Sequence, residues 1–272
     1  MQLDKTRIAI RQRTWSDILD LALHVVRNHA PGLLAATAVG AVPMMLLNYL
    51  LIGENLVGVD YQIEWPWAYI WLTLLLTFVE LPLATAATTL YLGQVLFIEA
   101  ANPRQIFRDL WASLGQLLLF QVLLRGILTL TVVTWVIPYS LWPYANEIIL
   151  LERNPLTTKE QGQLSTRRRS AALHSDMSGE LFVRSIAASL LALLLVSILV
   201  LTTWYLVGML SGRWDFDWWV FAVALPVAIW IVATYFAVVR FLGYVDLRIR
   251  REGWDVDLTL RAERARLLRQ VA

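Results

Sequence analysis

Cysteine is absent from this 272-residue chain. That excludes disulfides, thiolate metal sites and cysteine nucleophiles, while leaving the compartment open. Charge is scarce as well: 16% of the residues are charged, against about 25% in an average soluble domain. Histidine occurs only three times, at His24, His29 and His174, too dispersed for an obvious metal cluster. Asp176 and Glu180 flank His174, but a solvent-facing histidine is favoured over an acid–base group there. His-Glu-x-x-His, Gly-x-Ser-x-Gly and phosphate-cradling glycine loops are all missing. No catalytic residue, cofactor or metal site is therefore expected. Lysine is nearly missing too, with two against 21 arginines, a composition that suggests a high-GC bacterial source.

What remains is apolar. Hydrophobic residues make up 58% of the chain and its mean hydropathy is +0.58. Gly32 to Gly53, Ser185 to Ser211 and Trp218 to Val239 contain no Asp, Glu, Lys, Arg or His. Each run exceeds the ~20 apolar residues that cross a ~30 Å hydrocarbon core. The expected fold is all-α, a polytopic membrane bundle of six helices. Residues 1–31 form a cytoplasmic or interfacial segment, 32–242 the transmembrane domain and 243–272 a basic cytoplasmic tail. No cleavable signal peptide is expected, because the first apolar run is too long for a signal h-region.

Thr14 and Asp17 have the form of a capping box. Trp15, Ile18, Ala22, Val25 and Val26 then share a helix face opposite Asp17, Asp20, His24, Arg27 and Asn28. This amphipathic pattern suits a helix at the headgroup boundary, ended by Pro31-Gly32. The first span follows, from Gly32 to about Ile52. The second runs from Trp65 to about Ile98, roughly 50 Å of helix, so it must tilt, kink at Pro82 or project beyond the bilayer. Asn102-Pro103 reads as an N-cap with proline at the first helical position, ahead of a third span over Leu110 to Thr134. A short, irregular fourth span is placed at about Val136 to Leu151, with Pro138 and Pro143 inside it. The fifth starts at Ser178-Gly179-Glu180, and the sixth covers Trp218 to about Leu242.

Under this layout 21 of the 23 Lys and Arg residues fall on one side; only Arg125 and Arg213 do not. The positive-inside rule then puts both termini in the cytoplasm of a bacterial inner membrane. Removing the fourth span would strand the basic tail on the opposite side.

Glu80, Arg125 and Glu147 are ionisable at membrane depth, where each costs about 2.5–3.5 kcal/mol on insertion scales. Structural pairing is favoured over a proton or ion relay. Glu80 and Arg125 lie too far apart in depth for an easy bridge, and Glu147 is nearer Glu80 in height. Prolines inside four spans admit broken helices of the transporter kind, although no inverted repeat is evident. Arg167, Arg168 and Arg169 are candidate contacts for anionic lipids, with a plain orientation signal the favoured account. Nucleic-acid binding has no support beyond charge.

After the sixth span, Tyr244-Val-Asp246-Leu-Arg248-Ile-Arg250-Arg251-Glu252-Gly253 continues as helix, with i,i+4 pairs Asp246–Arg250 and Arg248–Glu252, and Gly253 can end it. This tail, with Asp255, Asp257 and Leu258, resembles that of many bacterial inner-membrane proteins. Glu152, Arg168-Arg169-Ser170 and Leu173-His174 upstream, and Ile18-Leu19-Asp20-x-Ala22-Leu23 near the start, are similar to the same group. That group looks related to the membrane domain of some bacterial glycerophosphodiester phosphodiesterases. The resemblance implies a six-helix membrane domain with cytoplasmic termini. It carries over no catalytic residue, because the phosphodiesterase activity resides in a separate domain with no counterpart in these 272 residues. Three roles stay open: a non-enzymatic scaffold or accessory subunit, as a homo-oligomer or beside a membrane-protein partner; a small transporter or channel using Glu80, Arg125 and Glu147; and a lipid-handling enzyme.

Overall fold

Thr14 and Asp17 cap each other reciprocally: the Asp17 amide donates to Thr14 Oγ1 and the Thr14 amide to the Asp17 carboxylate. The first helix, α1 (Trp15–Ile52), follows directly. The computed structural model describes residues 13–61, 64–97, 101–129, 142–155, 165–174 and 177–252, without the side chains at 125, 128, 129 and 252. Helix α1 does not stop at Pro31. It kinks at His29 (φ −125°, ψ 17°) and continues through Pro43. Proline lacks an amide hydrogen and its ring crowds the preceding turn, which is why the irregularity falls just upstream of it. The apolar face of its first turns packs on protein. Ile18, Ala22 and Val25 are buried with Leu92, Leu96, Val238 and Phe241.

Of the three outcomes open to the long second apolar stretch, a break at Pro82 is present. Helix α2 (Trp67–Ala84) ends two residues after it, Thr85 is a turn, and α3 (Ala86–Phe97) resumes. Thr85 Oγ1 donates to the Leu81 carbonyl at 2.7 Å, and Asn146 Nδ2 donates to the Pro82 carbonyl at 3.1 Å. Side chains thus occupy carbonyls at the helix break, which a buried backbone requires. Asn102 caps α4 (Pro103–Leu117), its Oδ1 accepting from the amides of Arg104 and Gln105. A π turn (Leu118–Leu123) joins α4 to α5 (Leu124–Thr129).

Of the expected fourth span, residues 136–141 lie outside the described part. The rest is short and irregular: α6 (Ala145–Glu147) and a π turn (Ile148–Glu152), ended by Arg153 in the left-handed region at φ 52°. Then come α7 (Thr166–His174), α8 (Ser178–Ser211), a π turn (Val220–Ala224) and α9 (Leu225–Glu252). Helix α9 passes through Leu242 without interruption. Tyr244, Asp246, Leu247 and Ile249 are buried, so the first ten residues assigned to a tail belong to the bundle. Gly253 and all that follows lie outside the described residues, as do Lys159, Asp176 and the first twelve residues.

The interior is packed on small and polar residues. A Cβ on Gly40 would stand 2.4 Å from the Ala84 carbonyl oxygen, so α1 crosses the end of α2 at backbone contact. Ala41, Ala84, Ala233 and Trp230 fill the surrounding space. Nearby, Thr37 Oγ1 meets Thr88 Oγ1 at 2.8 Å, and Thr234 Oγ1 meets Thr37 at 3.1 Å, all three buried. The outside is the reverse: Leu190, Leu193, Leu194, Leu201 and Leu210 of α8 are exposed. In lipid, apolar area gives no drive between helices, so close contact and hydrogen bonds hold them instead. Five helical stretches are long and apolar enough to cross a membrane: Trp15–Leu56, Trp67–Phe97, Pro103–Leu123, Ser178–Ser211 and Val220–Arg251. Among the described residues there is no strand.

Candidate functional site

Two tiers of buried polar contact join the helices. The deeper tier contains the acidic residues singled out above. Asn48 Nδ2 of α1 donates to Glu80 Oε2 of α2 at 2.9 Å, both side chains buried. Glu147, 0% exposed, receives Arg240 Nε of α9 at 2.6 Å. The same guanidinium donates from Nη2 to Thr85 Oγ1 at 3.2 Å. Glu80 and Glu147 are therefore each matched to a different helix, and the side chain of Arg125 lies outside the description. Arg240 departs from its expected place among the cytoplasmic charges: it turns into the bundle and neutralises Glu147.

The second tier centres on Glu152. Arg169 of α7 grips it with both arms, Nε to Oε2 at 2.6 Å and Nη2 to Oε1 at 2.9 Å, the bidentate geometry that suits a guanidinium. Tyr244 donates its hydroxyl to Oε1 at 2.6 Å, and Asn154 Nδ2 donates to Oε2 at 3.0 Å. Arg248 approaches to 3.7 Å and lies over the Tyr244 ring. Burial would raise the Glu152 carboxyl, but the Arg169 and Tyr244 hydrogen bonds and the Arg248 charge outweigh it and hold the group below its usual range. Beside this, Asp246 accepts the Arg13 amide at 2.8 Å and forms an ion pair with Arg250, Nε 2.9 Å away, while Arg250 Nη2 donates to the Arg13 carbonyl, which fixes the start of the described chain to α9. Arg169 is accordingly a bundle contact, while Arg167 and Arg168 are exposed.

A π turn makes the two tiers compatible. Arg240, Tyr244 and Arg248 are spaced i, i+4, i+8 and form one stripe along α9. Their partners Glu147 and Glu152 are five residues apart, which in an α-helix means a divergence of about 140°. The i→i+5 bonding of a π turn brings residues at that spacing back over one another, and a π turn covers Ile148–Glu152. Both carboxylates thus face the same stripe.

His174 is buried, contrary to the solvent-facing expectation. Its Nδ1–H donates to the Ser170 carbonyl at 2.7 Å, and its ring stacks on Tyr144 at 5.7 Å between centroids. A carbonyl can only accept, so this bond fixes the proton on Nδ1. Burial draws the imidazole below its ordinary value of 6.5 despite the Ser170 contact. Tyr144 reaches α9 because Gly243 has no side chain; a Cβ there would lie 2.7 Å from the Tyr144 hydroxyl.

The tail motif and the upstream Glu152, Arg169 and His174 thus converge on one assembly, with Tyr244, Asp246, Arg248 and Arg250 in it. Gly253 and the Glu252 side chain lie outside the description. Sequence reasoning missed Asn48, Asn146 and the threonine trio, whose only signal was polarity inside apolar runs. Against known proteins, no family model, no curated protein and no solved structure matches this chain.

Proposed function

We propose that the chain is a non-enzymatic, six-span protein of a bacterial inner membrane, with both termini cytoplasmic, that serves as a scaffold or accessory subunit of a membrane assembly. The observation that carries this reading is the use of its buried charges. Glu147, Arg240 and Glu152 use their hydrogen bonds to join α6 and its π turn, α7, α9 and the Thr85 turn after α2, and Glu80 joins α2 to α1. A relay residue needs a partner it can leave, whereas these contacts close the bundle. The gathering of the Arg-rich contacts at one end supports cytoplasmic termini, since, with Arg240 set aside, 20 of 23 basic residues fall on that side in the six-span layout. The meeting of both halves of the family-like pattern around Glu152 supports kinship with the membrane domain of the glycerophosphodiester phosphodiesterases. Exposed Arg167 and Arg168 suit anionic headgroups beside this assembly.

Crosslinking in native membranes followed by mass spectrometry tests the role. A reproducible homo-oligomer or membrane-protein partner is the expected result, and recovery solely as a partner-free monomer counts against it. In proteoliposomes, Glu80→Gln and Glu147→Gln should leave proton and small-ion flux at the protein-free level. Flux that the parent carries and either variant abolishes would move the assignment to a transporter.

A further inference from the structure

A cavity of about 370 Å³ lies between α2, α8 and α9, apart from both polar tiers except at one end. Its walls are Leu74, Phe78 and Leu81 of α2, Leu193 and Val196 of α8, and Phe236 of α9. The charged lining gathers at the other end, where Arg184 and Arg240 meet Ser185, Thr85 and Tyr144 beside Trp15, while Thr77 and Ser189 add hydroxyls along the walls. All three helices agree on this polarity although they do not run in one direction. Along α2 and α9 the polar end is C-terminal, and along α8 it is N-terminal. Between Leu181, in the cluster around Tyr144 and Tyr244, and Gly208 beneath Trp214 no residue of α8 is fully buried, and Val200 and Trp204 pack on the cluster around Tyr69 and Phe221. The stretch bordering the cavity is therefore only partly covered by protein, with Ser189 and Leu193 exposed.

We propose that this cavity is a binding site for one anionic glycerophospholipid of the adjoining leaflet, with an acyl chain inside and the phosphate at Arg184. This rests on the membrane reading above but not on the scaffold role. The depth fits: Arg184 to Val196 spans twelve residues, about 18 Å, close to the roughly 15 Å of half a hydrocarbon core. The volume lies within the ~300–1,000 Å³ range of small-molecule sites. The charge fits as well. Arg240 is committed to Glu147 and Thr85 within the bundle. Arg184 is held by Glu180, a neighbour on its own helix, and lies 5.7 Å from the centre of the Trp15 ring. The Arg184 side chain is 15% exposed and that of Glu180 45%, so the carboxylate can swing into water and leave the covered guanidinium to a phosphate. Tryptophan at that level is the usual companion of headgroups.

The test uses the full-length protein, delipidated in detergent and titrated with phosphatidylglycerol or phosphatidylcholine under native mass spectrometry. One tightly retained phosphatidylglycerol per chain is expected, in preference to phosphatidylcholine. Arg184→Gln should cut that preference about fivefold, the share of one basic residue at an anionic surface, and Arg184→Lys should restore most of it. Ala192→Phe, which places a ring in the cavity, should remove the retained lipid, with the melting profile reporting that the bundle stays folded. Equal retention of both lipids, unchanged by Arg184→Gln and Ala192→Phe, overturns the site. So does a dimer that Ala192→Phe dissociates at constant lipid load, which would give the cavity to a second copy. Lipid retention is read separately from nanodisc insertion, so loss of the site and failure of the membrane reading stay distinguishable.

Discussion

Replacing Arg240 by methionine strands Glu147, whose side chain is 0% exposed, with no cation beside it. Breaking a buried ion pair by removing one partner costs about 3–5 kcal/mol, so the folded-to-unfolded ratio should fall more than a hundredfold at about 1.4 kcal/mol per decade. Thr85 does not add to this, because its hydroxyl already donates to the Leu81 carbonyl. The reverse change is milder. Glu147→Gln leaves Arg240, 18% exposed, able to extend its charged head toward water, and the cost should be near the ~1–3 kcal/mol of an unmatched polar group. The double variant Glu147→Leu/Arg240→Met removes both charges and should be more stable than Arg240→Met alone. The assay is equilibrium unfolding from mixed micelles with SDS, followed by the fluorescence of the 13 tryptophans. Additive losses, or an Arg240→Met variant no weaker than Glu147→Gln, would refute the reasoning.

Two further outcomes follow from the same contacts. The imidazole of His174 is held below its ordinary 6.5, so as the pH falls through that value the unfolded chain takes up a proton that the folded chain declines. Stability is then lost on acidification. The Glu152 carboxyl is held below its ordinary 4.5, so its contribution is complete above that pH and is lost as the pH drops further. Melting temperature against pH should show a first decline beginning near 6.5 that His174→Gln removes and a second below 4.5 that Glu152→Gln removes. A flat profile between pH 7 and 5 would contradict the buried neutral histidine. Separately, Gly40→Leu must push α1 away from the Ala84 carbonyl and should cost about 1–3 kcal/mol, whereas alanine at half-buried Gly126 of α5, where a Cβ meets nothing within 4 Å, should be nearly neutral in the same assay.

Much of the architecture was legible because it follows from one-dimensional signals. The Thr14–Asp17 box, the Asn102-Pro103 start, the break after Pro82 and the Ser178 start are local chemistry, and each appears where the residues place it. Five of the expected spans correspond to the five helical stretches suited to crossing a membrane. The polar partners were harder. Glu80 and Glu147 stood out as costly, but pairing depends on helix rotation and depth, which periodicity does not supply. Arg240 was misplaced because it sits at a span end, where a count of charges cannot tell a snorkelling side chain from one turned inward. His174 was misplaced because a short connecting helix carries no sign of the ring that will cover it; Tyr144 is thirty residues earlier. Asn146 was invisible, since its task is to serve a carbonyl exposed by a proline on another helix.

The wide turn between Glu147 and Glu152 has a bearing on how variants of this protein should be compared. Along α9 the matching groups keep a regular four-residue beat, while the acidic side answers with five. Losing one residue from Ile148 to Leu151 would tighten the coil to an ordinary pitch, but the two acids would then be four apart and still share a face. Gaining one would not be absorbed in that way: at six apart they would still diverge by about 120° on an ordinary coil. Natural length variation in this short stretch should therefore run towards shortening, and an alignment that forbids gaps there would set true equivalents out of step.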